Sequence, residues 1–300
     1  MTKRALGNLK ESAIRAVFFS SGVVAVLVLV GIFATLVGTA LPAFKEIDLG
    51  GFLTGKVWDP TSPEKAEYGI LSMIASTLLV TLGALVIAVP IGIAVAAYLS
   101  DVAHWRVREI VKPVVEVLAA IPSVVIGFLG IVLFAPAIAK VFGLGHGLTA
   151  LNGSLLLAVM ALPTIISISE DSLRAVPAAY SEASLALGAS RWQTLLRVKV
   201  PAALSGIIAA SMLGMGRAIG ETMTVLMATG NARTFPELPG ALMQSVRTMT
   251  AGIAIELGEV PYFTTHYYAL FAIGLVLFVM TFLVNLVADV FLRKYQERER

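Results

Sequence analysis

Long apolar stretches separated by short charged segments are the dominant pattern of this 300-residue chain. Apolar runs at 17–41, 70–99, 113–139, 153–174, 203–229 and 267–292 are each long enough to cross a hydrocarbon core of about 30 Å as a tilted helix. The pattern predicts about six transmembrane helices and an all-α, polytopic membrane bundle. Pro90 and Gly92 fall inside the second run, and Pro122, Gly127 and Gly130 inside the third. Helix breakers are tolerated in a membrane where neighbouring helices satisfy the freed backbone groups, so these runs are expected to be packed and kinked. Ordinary bundle packing and a transport path both accommodate them.

The first run follows Lys3, Arg4, Lys10 and Arg15, as a signal peptide would. At about 25 residues it is too long for a signal core and lacks a convincing cleavage site, so it is read as a spanning helix. The stretch 240–258 invites a seventh span, but Gln244, Arg247 and several threonines weaken it, and a seventh crossing would export the basic pair Arg293 and Lys294. A partly embedded helix is expected there instead. Arg247, Glu256 and Glu259 are read either as solvated loop residues or as contacts for an external partner or a gate.

Composition agrees with this pattern. Hydrophobic residues make up 58% of the chain and charged residues 14%, with a mean hydropathy of +0.89, which excludes a soluble domain. Net charge is only +3 and gives no nucleic-acid footprint; the placement of the cations carries more information. Segments 1–16, 100–112, 175–202 and 293–300 hold most of the lysines and arginines, and the opposite loops hold only Lys45, Lys56, Lys65, Lys140, Arg233 and Arg247. That bias predicts cytoplasmic termini and a cytoplasmic loop 182–201. With no cysteine and three scattered histidines, neither a metal site nor a cofactor is expected.

Loop 42–69 is acidic, with Glu46, Asp48, Asp59, Glu64 and Glu67, and reads as an external cap or a contact for an external partner. Gly50, Gly55 and Lys56 mimic a phosphate-binding loop, but Val57 stands where its Ser or Thr belongs and Asp59-Pro60 follows in place of a helix. No other stretch offers a nucleotide site, so any ATP hydrolysis must come from another chain.

Two stretches carry the candidate chemistry. The first, 182–201, lies between two spans; helix formers lead to Gly188, then Trp192, Leu195 and Leu196 resume the apolar spacing beside Arg191, Arg197 and Lys199. It reads as two short helices meeting at a glycine, either an interfacial element or a docking element. The second is Arg217, near the middle of the fifth run. A charge at that depth costs about 2.5–3.5 kcal/mol even on an insertion scale, so it is expected to face protein or a wet cavity. Glu221, four residues on and on the same helical face, is expected to pair with it, and Gly216 and Gly220 would let another helix approach. Either the pair is a buried structural link, or Arg217 offers its planar guanidinium to a tetrahedral oxyanion while Glu221 holds it when the path is empty. Glu170 and Asp171 are read as solvated near the cytoplasmic face, and Glu116 is given no role.

Glu182-Ala183, Gly188 six residues after the glutamate, then Val198 and Pro201 match the E-A-A, three residues, G, nine residues, I-x-L-P pattern, with Ser184, Val198 and Val200 as small or apolar exchanges. In these residues the chain resembles permease subunits of bacterial binding-protein-dependent ABC importers, of the MetI-like type. The resemblance implies that Glu182, Ala183, Gly188 and Pro201 belong to a coupling helix that docks on a separate ATPase. Block 162–190 and the string Arg217-Ala218-Ile219-Gly220-Glu221-Thr222-Met223 are similar to the phosphate branch, of the PstC type; the sister PstA type typically continues Glu-Thr-Ala-Pro. The resemblance covers most of the chain from about residue 70 and is strongest over 162–231. It implies a division into 1–69, with the first span and external loop, and 70–300, the permease domain with coupling loop 182–201. It further implies a transport subunit in the plasma (inner) membrane, catalysing no bond chemistry and carrying phosphate past Arg217 and Glu221. The implied partners are a PstA-type permease, a PstB-type ATPase dimer and an external PstS-type phosphate-binding protein. Permeation of molybdate, sulfate or a phosphonate, or ATP-independent secondary transport, are the alternatives.

Overall fold

The computed structural model describes residues 3–298. Helix α1 (Lys3–Ala40) runs into a single turn (Leu41–Lys45), then α2 (Leu49–Thr54) and an antiparallel hairpin, β1 (Trp58–Asp59) with β2 (Glu67–Tyr68), in which Trp58 lies opposite Tyr68. Helices α3 (Leu71–Ala97), α4 (Trp105–Ala120), α5 (Ser123–Leu129), α6 (Ala135–Phe142) and α7 (Ala150–Ala175) follow. A second series of short elements comprises α8 (Ala178–Ala186), α9 (Arg191–Thr194), α10 (Val200–Ala202), α11 (Leu204–Gly220), α12 (Met223–Ala228) and α13 (Met249–Glu256), and α14 (Thr265–Arg298) ends the chain. Wider π-turns at Tyr98–Val102, Gly130–Phe134 and Leu195–Lys199 extend α3, join α5 to α6 and join α9 to α10.

Among the described residues, five helical stretches are long and apolar enough to cross a membrane: Ile14–Lys45, Leu71–Val102, Ser123–Phe142, Ala150–Ala175 and Thr265–Val290. Arg191–Ala202 and Leu204–Gly220, bent by 70°, make a sixth if they count as one span. Two expected spans are corrected in detail. The third does not begin at 113, because Ile121 and Pro122 are extended and separate α4 from α5; proline disfavours the helical conformation at the residue before it and supplies no N–H of its own. The fifth does not run to 229, because α11 ends at Gly220 and Glu221 is extended. The expected helix within 240–258 is only the eight residues of α13, about 12 Å long and too short to cross.

Helices α3 and α7 form the centre. Val80, Ala84 and Ala88 on α3 meet Leu157, Ala158, Ala161 and Ile165 on α7, and Ala218 and Val225 close the same cluster. Small side chains let the two backbones approach closely, the packing available where no hydrophobic effect drives helices together. Ser154 Oγ donates across the pair to the Val80 carbonyl at 3.1 Å. At Gly92 the fit is close: a Cβ there would lie 2.6 Å from Ile165 Cγ2.

At the end of the bundle that carries the hairpin, Glu256 ties four segments together. Its carboxylate accepts from Trp58 Nε1 at 2.9 Å and Arg247 Nη1 at 2.6 Å, and lies 2.8 Å from His266 Nε2 and 3.5 Å from Arg233 Nη2. Arg247 and Glu256 are both buried, so neither is a solvated loop residue, whereas Glu259 is exposed. Burial alone would raise the Glu256 pKa, but the bonds from His266 and Trp58 and the charge of Arg247 outweigh it and hold the carboxyl below its ordinary range.

Two predictions follow from this packing. Gly92→Val should destabilise the α3–α7 pair by about 1–3 kcal/mol through overpacking, and Ile165→Ala in the same chain should recover part of the loss, as read from thermal unfolding in detergent. Because the folded pKa of Glu256 is depressed, its stabilisation is present above its unfolded pKa of about 4.3 and is lost as pH falls through the folded value. Unfolding midpoints should therefore drop on acidification into that range, and Glu256→Gln should remove this part of the pH dependence.

Candidate functional site

Helix α11 is built from small residues on its packed side. Ile207, Ala210, Gly214 and Ala218 are buried, while Leu213, Arg217 and Gly220 are exposed. Arg217 thus projects from the chain's surface and not into its core. Its one hydrogen bond is a long one, Nη2 donating to the Ala119 carbonyl at 3.5 Å. That carbonyl lies in the last turn of α4, where unpaired carbonyls give a partial negative charge.

The expected Arg217–Glu221 ion pair is not formed. Helix α11 stops at Gly220, the extended backbone at Glu221 breaks the shared helical face, and the carboxylate turns to α12, where its Oε1 accepts from the Thr224 amide at 3.3 Å. The Glu221 carbonyl accepts from Thr250 Oγ1 at 2.8 Å. Gly216 and Gly220 do not seat a helix of this chain either: a Cβ at Gly220 would meet nothing within 4 Å, and one at Gly216 only Asn285 Oδ1 at 3.8 Å. The face next to Arg217 is open.

Two helix interruptions meet here. Thr224 Oγ1, at the start of α12, donates to the Ser123 carbonyl at 3.1 Å, so the α11–α12 break lies against the α4–α5 break. Deeper in, Asn152 Nδ2 donates to the carbonyls of Gly130 and Ala228, each at 3.2 Å, and ties the π-turn of the third span to the end of α12.

At the opposite end from the hairpin, 182–201 forms the two short helices expected. Gly188 takes the left-handed conformation, φ 85°, that closes α8 and that residues with a Cβ rarely adopt. Ser190 and Gln193 cap α9 reciprocally in a capping box. Ser184, a departure from the family pattern, bonds Thr194 across the turn with 2.9 Å between hydroxyls. Glu182, Ala183, Gly188 and Pro201 are all exposed, beside a contiguous apolar set of Tyr180, Leu185, Leu187, Trp192 and Leu196. Leu187 is 90% exposed. A groove of about 520 Å³ runs between Leu185 and Trp192, floored by Leu195 and Lys199.

One residue that sequence reasoning placed in solvent is buried. Glu170 on α7 is 1% exposed and lies 3.1 Å from Lys112 Nζ and 3.6 Å from both Arg108 Nε and Arg174 Nη1, whereas Asp171 is 69% exposed. Burial alone would lower the Lys112 pKa, but Glu170 and Asp171 outweigh it and raise the pKa above the ordinary lysine value. Arg108 and Lys112 lie four residues apart in sequence, as do Glu170 and Arg174, but only the meeting of α4 with α7 brings the two pairs together.

Comparison with known proteins accounts for this arrangement. Residues 88–297 match the family of binding-protein-dependent transport system inner membrane components. The chain is 41% identical over 232 residues to the probable ABC transporter permease protein YqgH of Bacillus subtilis, covering 77% of this chain and 74% of that protein. It is 32% identical over 297 residues to the phosphate transport system permease protein PstC of Mesorhizobium japonicum, covering 91% and 88%. With PstC 2 of Mycobacterium tuberculosis the identity is 33% over 290 residues, covering 89% and 86%. Among solved structures, a bacterial ABC transporter involved in import of the acidic polysaccharide alginate superimposes with a TM-score of 0.64 at 15% identity, over 97% of this chain and 99% of that one. An inward-facing MetNI methionine transporter gives 0.55 at 21% identity, over 76% and 94%. The chain belongs to the inner-membrane components of binding-protein-dependent transport systems, and it is a multi-pass transport subunit with the MetI-like importer permease fold, not an enzyme.

Proposed function

We propose that this chain is the PstC-type permease of an ATP-driven phosphate importer, with Arg217 and Glu221 on the translocation path and 182–201 as the ATPase docking segment. The observation that carries the reading is Arg217 itself. It sits on a spanning helix, exposed on its own chain, beside an open glycine and two helix breaks, with one long bond to a carbonyl. A guanidinium at that depth is costly facing lipid, and it is accommodated where a homologous PstA-type permease and a wet path cover the face. Its planar fork suits two oxygens of a tetrahedral oxyanion, and the bond to Ala119 is weak enough to exchange. Glu221 orders the start of α12 through Thr224 and so holds the break that borders this face. Phosphate is favoured as cargo because relatives 32–33% identical along most of the chain are named for it.

The remaining parts follow from the charge bias, which sets both termini and α8–α9 in the cytoplasm and the hairpin end outside. A PstB-type ATPase dimer would cover the apolar set around Leu187 and Trp192, and a PstS-type binding protein would deliver phosphate at the hairpin end. ATP closure would then move α8–α9 and alternate access around Arg217.

In vesicles carrying the full assembly, Arg217→Gln should lower uptake of labelled phosphate by roughly 10- to 100-fold, the loss of a hydrogen bond to a charged group, while the complex still assembles and hydrolyses ATP. Arg217→Lys, which keeps the charge without the fork, should fall between. Unchanged uptake would remove Arg217 from the path, and competition by sulfate or molybdate at phosphate-like concentrations would reassign the cargo. Leu187→Asp should abolish co-purification of the ATPase while shifting the stability of the isolated permease by no more than about 0.5 kcal/mol, since the side chain is almost fully exposed.

A further inference from the structure

Helix α4 differs from every other long element in how it is held. It has sixteen residues, none of them buried, and extended residues at both ends, Ala103-His104 and Ile121-Pro122. Its apolar stripe of Val107, Val111, Val115 and Leu118 is only half-buried, and its polar contacts converge on Glu170. Arg108 and Lys112 reach this buried carboxylate from α4, and Arg174 reaches it along α7. Glu170 Oε1 has no hydrogen-bond partner among the described residues and is held by charge, 3.6 Å from Arg108 and Arg174, while Oε2 lies 3.1 Å from Lys112 Nζ. Coulomb attraction falls off slowly with distance, but parting α4 from α7 would leave Glu170 as a buried charge with fewer partners, so the pairing favours the arrangement in which the two helices meet.

The same helix touches both candidate sites. At its start, Arg108 donates through Nε to the Leu99 carbonyl at 2.9 Å and through Nη2 to the Ser100 carbonyl at 2.8 Å, capping the π-turn that ends α3. In that turn Asp101 pairs with Lys199 of the docking segment at 2.5 Å. Toward the other end, about 16 Å along the axis from Arg108, the Ala119 carbonyl receives Arg217. A displacement of 182–201 therefore pulls on Asp101 and the π-turn, reaches Arg108, and arrives at Arg217 through α4, which stays helical from Trp105 to Ala120 across Pro113.

We infer that α4 is the lever between the docking segment and the Arg217 face, and that Glu170 is the positioning residue that latches it to α7 in the conformation described here. The inference rests on the docking reading of 182–201 but not on the identity of the cargo.

In the assembled importer, Glu170→Gln removes the charge shared by the three cations. ATP hydrolysis should continue while the ATP consumed per phosphate imported rises about tenfold, the size of an ordinary coupling between sites. Lys112→Met, at a side chain 31% exposed, should give the same change in weaker form, and it decides the matter if Glu170→Gln fails to assemble. A purely structural role would lower uptake and hydrolysis together. Since the chain has no cysteine, spin labels at Glu116→Cys on α4 and Ala175→Cys at the end of α7 report their separation independently of cargo. The otherwise unaltered complex should show one distance without nucleotide and another with ATP trapped, and Lys112→Met should populate both without nucleotide. An unchanged ATP-per-ion ratio in the variants, or one distance distribution in every state, overturns the latch while leaving docking intact. A permease that retains no ATPase overturns the docking reading and the latch with it.

Discussion

Backbone hydrogen bonding inside lipid is the constraint on which the rest of this structure depends. Each N–H and C=O left unpaired in hydrocarbon costs several kcal/mol, so a spanning chain can interrupt a helix only where other protein groups take over the freed partners. Here two interruptions are set side by side and satisfy each other. Thr224 supplies a donor for the Ser123 carbonyl, Arg217 for Ala119 and Thr250 for Glu221. Asn152, fully buried on α7, bonds Gly130 and Ala228 on the two interrupted spans. Neither break is affordable alone, and together they open a polar face in an apolar bundle.

From that arrangement comes a division of labour within the chain. Helices α3 and α7 pack through alanines and a glycine at contact distances that leave no room to slide, and they form the rigid part. The hairpin end is fastened to them through Glu256, a buried carboxylate with four partners from separate segments. The docking end is different: α4 and α8 bury no residue, ion pairs and short polar bridges link them to their neighbours, and Leu195 after α9 anchors the segment against Ala96, Leu173 and Ile207. Elements that must move in a transporter are drawn from the weakly packed parts of its structure, and here those parts adjoin the surface offered to a partner.

The relatives sharpen this picture without replacing it. Solved transporters at 15–21% identity share the fold, so the bundle tolerates extensive exchange of side chains. Specific chemistry is then confined to a few positions. On this chain the positions proposed for it are the arginine of α11, the glutamate that follows that helix and the exposed apolar turn around Gly188.

The sequence by itself determined that this is an all-α membrane chain, the approximate position of its spans, and the two short helices around Gly188, because apolar run length, a glycine stop and a Ser-Gln cap act locally. Pro122 also lay in plain view, yet its effect was decided by α4, whose charged residues make a separate surface helix in place of the first third of a span. Tertiary structure alone decided which charges meet. The spacing of Arg217 and Glu221 favoured a pair as long as the helix continued, but the helix ends between them and the glutamate is taken by α12. Glu170 read as solvated beside Asp171, and Glu256 read as a loop residue, because burial depends on what packs from elsewhere. Their partners lie 58 and 62 residues away at Lys112 and Arg108, and 198 away at Trp58. Local rules reach about one helical turn, and among the described residues the buried Glu170 and Glu256 take partners far beyond that range.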